Sequence, residues 1–263
     1  MITSVLWGGL GNQLFQIAAG FAHSKRMNTD YALNYNYSLN NKYVGQGFSP
    51  EKYKDNLYSK ISETDKKEHS FLPFRQSGFR YKRIPTSDNL ILRGYFQSEK
   101  FFENFYKEVK ELFFFPPELK KKINKKMSFS SKRKVGVHIR RGDYKLEKNS
   151  IVHPMLSVNY YLKAMQIFST DCVDFLIFTD DFESINKEFD LSQFTNLNNE
   201  NELEDLYSLS QCDGIIMSNS SFAWWGTYLG KNKYKVVSPS IWFNPSSPDL
   251  ITTDLYKDEW IKI

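Results

Sequence analysis

VGVHIRRGDY, residues Val135–Tyr144, opens as an apolar run with a strand's alternation and ends on His138, Arg140, Arg141 and Asp143. GIIMSNSSFAWWGTYLG, Gly214–Gly230, has the same plan: an apolar run, then Ser218, Asn219, Ser220 and Ser221, then a helix-like segment. Each stretch reads as a short buried strand running into phosphate-seeking groups. Arginine forks match phosphate oxygens bidentately and stay charged. A helix start preceded by hydroxyls offers backbone N–H groups to an anion. Two strand ends of this kind predict a diphosphate site.

Working outward, strands and helices alternate from Lys134 onward. The pattern predicts strands over 135–139, 173–178, 214–217 and 236–237, with helices over 158–168, 202–210 and 222–229. Such alternation implies α/β architecture with a parallel, doubly wound sheet, clearest in the C-terminal half. Ligands then belong outside the carboxyl ends of the strands, where Arg140, Asp180, Asp181 and Ser220 fall. In the N-terminal half, Ser4–Trp7 reads as a strand, Gly8, Gly9 and Gly11 as a turn, and Gln13–Lys25 as a helix. Residues 34–88 have weak periodicity and read as irregular. Leu90–Leu92 reads as a strand, and Glu99–Phe114 as a helix stopped by Pro116 and Pro117. The expected division is an acceptor-side domain over 1–133 and a donor-binding domain over 134–263, the last residues packing back on the first.

The chain has 263 residues, 41% hydrophobic and 25% charged, which places it among ordinary globular proteins and against disorder. Cys172 and Cys212 lack CxxC spacing, so neither a disulfide framework nor a zinc site is expected. The start, MITSVL, carries no signal or anchor pattern, so the expectation is a soluble, cytoplasmic protein. The net charge of +5 is concentrated between Lys120 and Lys134, where no acid interrupts the lysines and Arg133. A solvated helix face or linker is the plain reading. The functional one is peripheral contact with anionic lipid. No nucleic-acid motif accompanies the run.

Gly8-Gly9-Leu10-Gly11-Asn12-Gln13 is neither the GxGxxG dinucleotide fingerprint nor a P-loop. Its glycines serve a tight turn or let a substrate approach the backbone. Arg140 and Arg141 either pair with Asp143 or neutralise a departing diphosphate as a divalent cation would. Asp143 is the nearest acid for a general base, although pairing with Arg141 would lower its pKa and blunt it. Asn12 is no base but can orient a hydroxyl. His138 shares a strand face with Arg140. Phe222 is the aromatic best placed to line a pocket, Trp224 and Trp225 reading as core. Asp180 and Asp181 invite a metal reading, since paired carboxylates bind Mg²⁺ or Mn²⁺ with nucleotide phosphates. With two arginines present, however, a cation is redundant, and Asp181 can instead receive a ribose hydroxyl or base N–H.

Together WGGLGNQLFQIAAG (Trp7–Gly20), GYFQSEKFF (Gly94–Phe102), VGVHIRRGDY, LIFTDD (Leu176–Asp181) and SNSSFAWWGTYLG (Ser218–Gly230) resemble the α-1,2-fucosyltransferase family, in order and over nearly the whole chain. The resemblance implies a GT-B architecture, two Rossmann-like domains facing a cleft. It implies a GDP-fucose donor, a galactose-terminated oligosaccharide or lipid-linked glycan acceptor, inversion, and no metal or other cofactor. By the same likeness, Arg140 grips the pyrophosphate with His138 nearby. Ser218, Asn219, Ser220, Ser221 and Phe222 bind the donor at the helix start, and Gly9, Gly11 and Asn12 border donor and acceptor. The alternatives are a metal-dependent transferase using Asp180 and Asp181, or a non-catalytic nucleotide- or glycan-binding protein.

Overall fold

The computed structural model of the protein describes residues 1–39, 49–246 and 250–263. The chain divides into two units, Met1–Pro116 with Asp249–Tyr256, and Pro117–Pro248 with Lys257–Ile263.

In the first unit the chain runs β1 (Ile2–Ser4), α1 (Leu10–Arg26), β2 (Ala32–Leu33), α2 (Asn36–Leu39), β3 (Ser62–Glu63), β4 (Leu72–Arg75), β5 (Leu90–Arg93) and α3 (Tyr106–Leu112). Strands β1, β5 and β4 form a parallel sheet in that order, and β2 pairs in parallel with β3. A parallel bridge from Ile2 to Tyr31 sets the second pair beside the first sheet. α1 buries nearly its whole length, including Leu14, Phe15, Ile17, Ala18 and Ala19. Gly20 lies so close to β1 that a Cβ there would stand 2.4 Å from the Ser4 hydroxyl.

Three sequence expectations for this unit shift. The first strand ends at Ser4 rather than Trp7, because the side-chain amide of Gln16 takes both the N–H and the C=O of Trp7, at 3.0 and 3.2 Å, and draws that residue into the loop. The stretch from Glu99 is not one helix but two 3₁₀ turns, Glu99–Phe101 and Glu103–Phe105, followed by α3. Phe101 and Phe102 are adjacent and both fully buried, which a helix turning about 100° per residue serves poorly. Residues 34–88, read as irregular, hold the short strands β3 and β4; the part over 40–48 lies outside the described residues.

The second unit begins with α4 (Pro117–Met127), followed by β6 (Arg133–Ile139), α5 (Glu147–Ser150), α6 (Val158–Gln166), β7 (Val173–Thr179), α7 (Phe182–Glu188), β8 (Phe194–Thr195), α8 (Glu202–Gln211), β9 (Gly214–Ile216), α9 (Ser221–Tyr228), β10 (Lys235–Ser238) and β11 (Ile261–Lys262). Pro117, expected to stop a helix, starts one: its fixed φ suits the first helical position, where the missing N–H costs nothing. All six strands are parallel, in the order β11-β10-β9-β6-β7-β8. The chain winds outward from β6 through β7 to β8, crosses back to β9, and winds outward again. The order therefore reverses between β6 and β9, which is the Rossmann topology with its ligand crevice at the reversal.

One face of this sheet, with Val135, Val137, Ile139, Ile177, Ile216 and Val237, packs against Tyr161, Ala164 and Met165 of α6 and Ile185 of α7. The alternate residues of β6 turn the other way. Gly136 faces Leu209 of α8, where a Cβ would meet a methyl at 2.5 Å. α9 is buried almost all round, its Trp224 stacked on Tyr228 at 5.4 Å and edge-on to Trp225 at 5.3 Å. It approaches α8 closely at Gly226, where a Cβ would lie 2.6 Å from Leu209 Cγ. Gly226→Ala is therefore expected to destabilise the protein by about 1–3 kcal/mol through overpacking, read as a lower urea midpoint with unchanged slope. An unchanged midpoint would show that α8 and α9 are not tightly packed here.

Candidate active site

The pairing of β6 with β9, Val135 opposite Gly214 and Val137 opposite Ile216, sets the ends of the two motif strands side by side. His138 and Ser218 close the pair: Nδ1 and the hydroxyl oxygen are 2.7 Å apart, and both residues are buried. The Phe222 ring lies 5.6 Å from the imidazole and tilted 31° to it. Tyr144 adds a second tie, its hydroxyl donating to the Asn219 carbonyl at 2.8 Å while the Arg140 guanidinium sits 5.6 Å from its ring. His153 stacks on Tyr144 at 4.8 Å. The sequence reading gave neither Tyr144 nor His153 a role; Tyr144 stands inside the motif, but only the fold shows what its hydroxyl reaches.

The arginines divide their work. Arg140 is ion-paired to Asp180, Nη1 to Oδ2 at 2.8 Å, and to Asp143 through Nη2. Arg141, for which pairing with Asp143 was the plain alternative, instead bonds Glu188 of α7 through Nη2 at 2.7 Å and Nε at 3.2 Å. Its side chain is 3% exposed. Arg141 is thus an internal anchor, and Asp143 belongs to Arg140. The reason is strand geometry, since successive residues leaving β6 point to opposite faces. Asp180 also accepts the Arg141 N–H at 2.9 Å, and a Cβ on Gly142 would stand 2.2 Å from its Oδ2, so a side chain there would displace the carboxylate.

Asp181 is committed too. It caps α7 by accepting the Ser184 N–H at 3.0 Å and is ion-paired to Lys145. The Lys145 ammonium, then the Ser184 N–H, hold its carboxyl down at about 2. Among the described residues, no group of three or more His, Cys, Asp and Glu is arranged to hold a metal.

Of the SNSS quartet, Ser218 and Asn219 face inward. The Asn219 amide donates to the carbonyls of Pro154 and Trp242, both at 3.0 Å, and fixes the loops around the strand end. Ser220 is the N-cap of α9, its hydroxyl accepting the Phe222 N–H at 3.3 Å, and Ser221 opens the helix. In general, a helix start is a place that can receive an anion.

In the first unit the glycine loop is shaped by amides. Gly8 has φ +76°, a conformation that favours glycine, and Asn12 Nδ2 lies 2.6 Å from where its Cβ would be. Gly9 is the N-cap of α1 without a side-chain cap bond, and Gly11 is buried. Gln13 donates to the Gly8 carbonyl at 3.0 Å, and Asn12 accepts from Gln97 at 2.8 Å. Gln13, Gln16 and Gln97 were not singled out from sequence, where a glutamine carries no signal of its partner.

The whole chain, residues 1–263, matches the family model described as Glycosyl transferase family 11. The chain belongs to that family. As a family 11 protein it is a glycosyltransferase, with each motif strand in the positions just described. It is 26% identical to an alpha-1,2-colitosyltransferase of Escherichia coli, over all of this chain and 99% of the relative. It is 27% identical to a galactoside 2-alpha-L-fucosyltransferase of Caenorhabditis elegans, over 90% of this chain and 71% of the relative. Among solved structures it resembles the fucosyltransferase NodZ from Bradyrhizobium, in a crystal grown with GDP, with a TM-score of 0.51 at 14% identity over 87% of this chain and 92% of that one. This last likeness is one of fold. With its parallel sheets it bears out the expected GT-B class.

No helix of the described residues is long and apolar enough to cross a membrane. The lysine-rich run of this family 11 chain is α4 and the start of β6. Lys122 binds Glu200 and Glu204 at 2.7 and 2.6 Å, Lys126 reaches Glu204 at 3.3 Å, and Lys132 reaches Asp174 at 3.6 Å. Lys122, Lys126 and Lys132 are thus paired to acids of the same unit.

Burial, partly offset by Asp180, pushes the His138 imidazole from its ordinary 6.5 down to about 4, so it is neutral at neutral pH. Between those values the unfolded chain binds a proton that the folded chain refuses. Stability present above pH 6.5 is therefore lost as pH falls toward 4, by about 1 kcal/mol per pH unit. His23 and His153, also pushed down by burial, act the same way, while Asp205, pushed up to about 6 by burial, acts oppositely. Urea unfolding of wild type and His138→Gln at about pH 7.5 and about pH 5 isolates the one group. Wild type is expected to lose more stability between the two; equal losses would count against a neutral buried imidazole.

Proposed function

We propose that the protein transfers L-fucose from GDP-β-L-fucose to the 2-hydroxyl of a terminal galactose, with inversion at the anomeric carbon and without a metal ion. The observation that carries this reading is the arrangement at the strand reversal: Arg140 beyond β6, beside the strand that leads to the Ser220-capped start of α9. As the glycosidic bond breaks, GDP leaves with growing negative charge while the sugar gains oxocarbenium character. Donors already aimed at that charge contribute most of the stabilisation. A guanidinium has five N–H groups, and the two carboxylates engage Arg140 through Nη1 and Nη2 only. The remaining N–H groups serve the diphosphate, and the helix start of α9 serves its other oxygens.

The acids support the absence of a metal in this reading. Asp180 and Asp181 are spent on Arg140, the Arg141 N–H, Lys145 and the helix cap. Asp143 is bonded to the guanidinium, which suits it to aiming Arg140 rather than to taking the acceptor proton. An advanced cleavage of the donor bond lowers the demand for a strong base, and Asn12 then orients the acceptor hydroxyl. The GDP in the NodZ crystal and the galactoside named for the nematode relative support the donor and acceptor classes. The likeness to a colitosyltransferase favours a second reading, transfer of colitose, which is fucose lacking the 3-hydroxyl.

Arg140→Ala is expected to fold normally and to lose about 10²–10³ in kcat with GDP-fucose and a galactoside; near-normal turnover in the purified variant would refute the role. Transfer in excess EDTA is expected at the full rate, and activity abolished by EDTA and restored by Mn²⁺ would reverse the metal assignment. A direct competition between GDP-fucose and nucleotide-activated colitose decides between the two donors.

A further inference from the structure

Beyond β6 the chain folds into a 3₁₀ turn, Gly142–Lys145, that carries Tyr144 back toward Arg140. The turn is tied twice: the Lys145 N–H donates to the Arg141 carbonyl at 3.2 Å, and the Asn149 amide donates to the Asp143 carbonyl at 2.9 Å. Tyr144 is 7% exposed. Its ring stacks on His153 with the planes 16° apart, and His153 packs in turn on Phe243 at 5.3 Å. Burial holds the phenol well above its ordinary range, so the hydroxyl stays protonated and remains a donor.

Two contacts of this one side chain matter together. The Arg140 guanidinium lies within cation–π distance of the ring. The hydroxyl donates to the carbonyl of Asn219, the residue just before the Ser220 cap of α9. Tyr144 therefore contacts Arg140 and the backbone that leads into the α9 start, the two groups to which the functional reading assigns the diphosphate.

Each of those groups also has anchors of its own. The Asn219 amide is bonded to the Pro154 and Trp242 carbonyls, Ser218 pairs with His138, and the Met217 carbonyl accepts the Tyr160 hydroxyl at 2.6 Å. Arg140 is held by two carboxylates. What Tyr144 adds is a fixed spacing between the guanidinium and the helix start. Such spacing decides binding by two arms, because the second arm contributes only where both can reach the ligand at once.

We propose that Tyr144 is a positioning residue for the nucleotide diphosphate: through its ring and its hydroxyl it sets Arg140 and the start of α9 at one separation, so that both engage the same ligand. The inference rests on the reading above that GDP is bound at these strand ends.

The test is a double-mutant cycle on the full chain. GDP affinity is measured by phosphorus NMR titration, which reads weak binding, for wild type, Tyr144→Phe, Arg140→Ala and the double variant. Tyr144→Phe keeps the ring beside Arg140 and removes only the hydroxyl. It is expected to weaken GDP binding roughly tenfold in the wild-type background and less than about threefold beside Arg140→Ala, because the spacing has no value once one arm is gone. Tyr160→Phe removes a phenol bond to the same loop and is expected to change affinity less than about twofold in either background. Tyr144→Phe binding GDP as wild type does, equal losses in the two backgrounds, or an equal loss from Tyr160→Phe would overturn the assignment. Thermal melts accompany the titrations, and a Tyr144→Phe chain that does not fold would place the hydroxyl in stability and overturn it too. A wild type that neither binds GDP nor consumes GDP-fucose would refute the functional reading itself, and the positioning role with it.

Discussion

The structure of the second unit depends on one constraint: β6 and β9, far apart in sequence, must pair in parallel at the point where the strand order turns back. Three register pairs fix that alignment, Val135 with Gly214, Gly136 with Ile215 and Val137 with Ile216. The ties just beyond the strands depend on it. A slip of one residue would send His138 and Ser218 to opposite faces and separate Tyr144 from Asn219. The residues that secure the register are small for a reason. Gly136 and Gly226 let Leu209 of α8 sit against both β6 and α9, so the helix layer can close over strand ends that carry charge.

Charge at those ends is held by partners, not by solvent. Arg141 is nearly fully buried, and its bidentate bond to Glu188 ties the turn after β6 to α7. A buried guanidinium without such a partner would be strongly destabilising. Arg140 is half-buried between two carboxylates, an arrangement that fixes its direction before any ligand arrives. Preorganisation of this kind spares the cost of ordering a long side chain during the reaction. Gly142 belongs to the same device, because a side chain there would drive Asp180 away from Arg140.

How far the sequence could be read follows from the kind of signal each element leaves. β6, β7 and β9 were visible because apolar runs mark them, and α6, α8 and α9 because helix-like segments alternate with those runs; in the structure Ser157, Asn201 and Ser220 cap the three helices. The reversal after β6 was legible in the motif residues it carries. β3 and β4 were not, since neither buries an apolar run: both residues of β3 are exposed, as is Leu72 at the start of β4. The Arg141–Glu188 pair was also hidden. Its partners are 47 residues apart, and nothing local separates Glu188 from an acid on a solvated helix face. The amides of Gln13, Gln16 and Gln97 were hidden similarly, as their partners are backbone groups, another amide or, for Gln13, the Tyr58 hydroxyl 45 residues away.

The turn after β6 and the glycine loop after β1 differ in charge, and the difference has a chemical logic. The strand ends of the second unit carry Arg140, Arg141 and Lys145, each matched to an acid. The glycine loop of the first unit carries no charged side chain from Trp7 to Gln16, and α1 has no acid in its first turn. An enzyme that separates a sugar from a nucleotide must steady an anion at one place and a cation-like sugar at another. Fixed positive charge suits the first task and would oppose the second. Neutral amides such as Asn12, held through Gln97, can orient a hydroxyl without that opposition. On the fucosyl-transfer reading, the uncharged glycine loop suits the sugar as the charge of Arg140 suits the diphosphate.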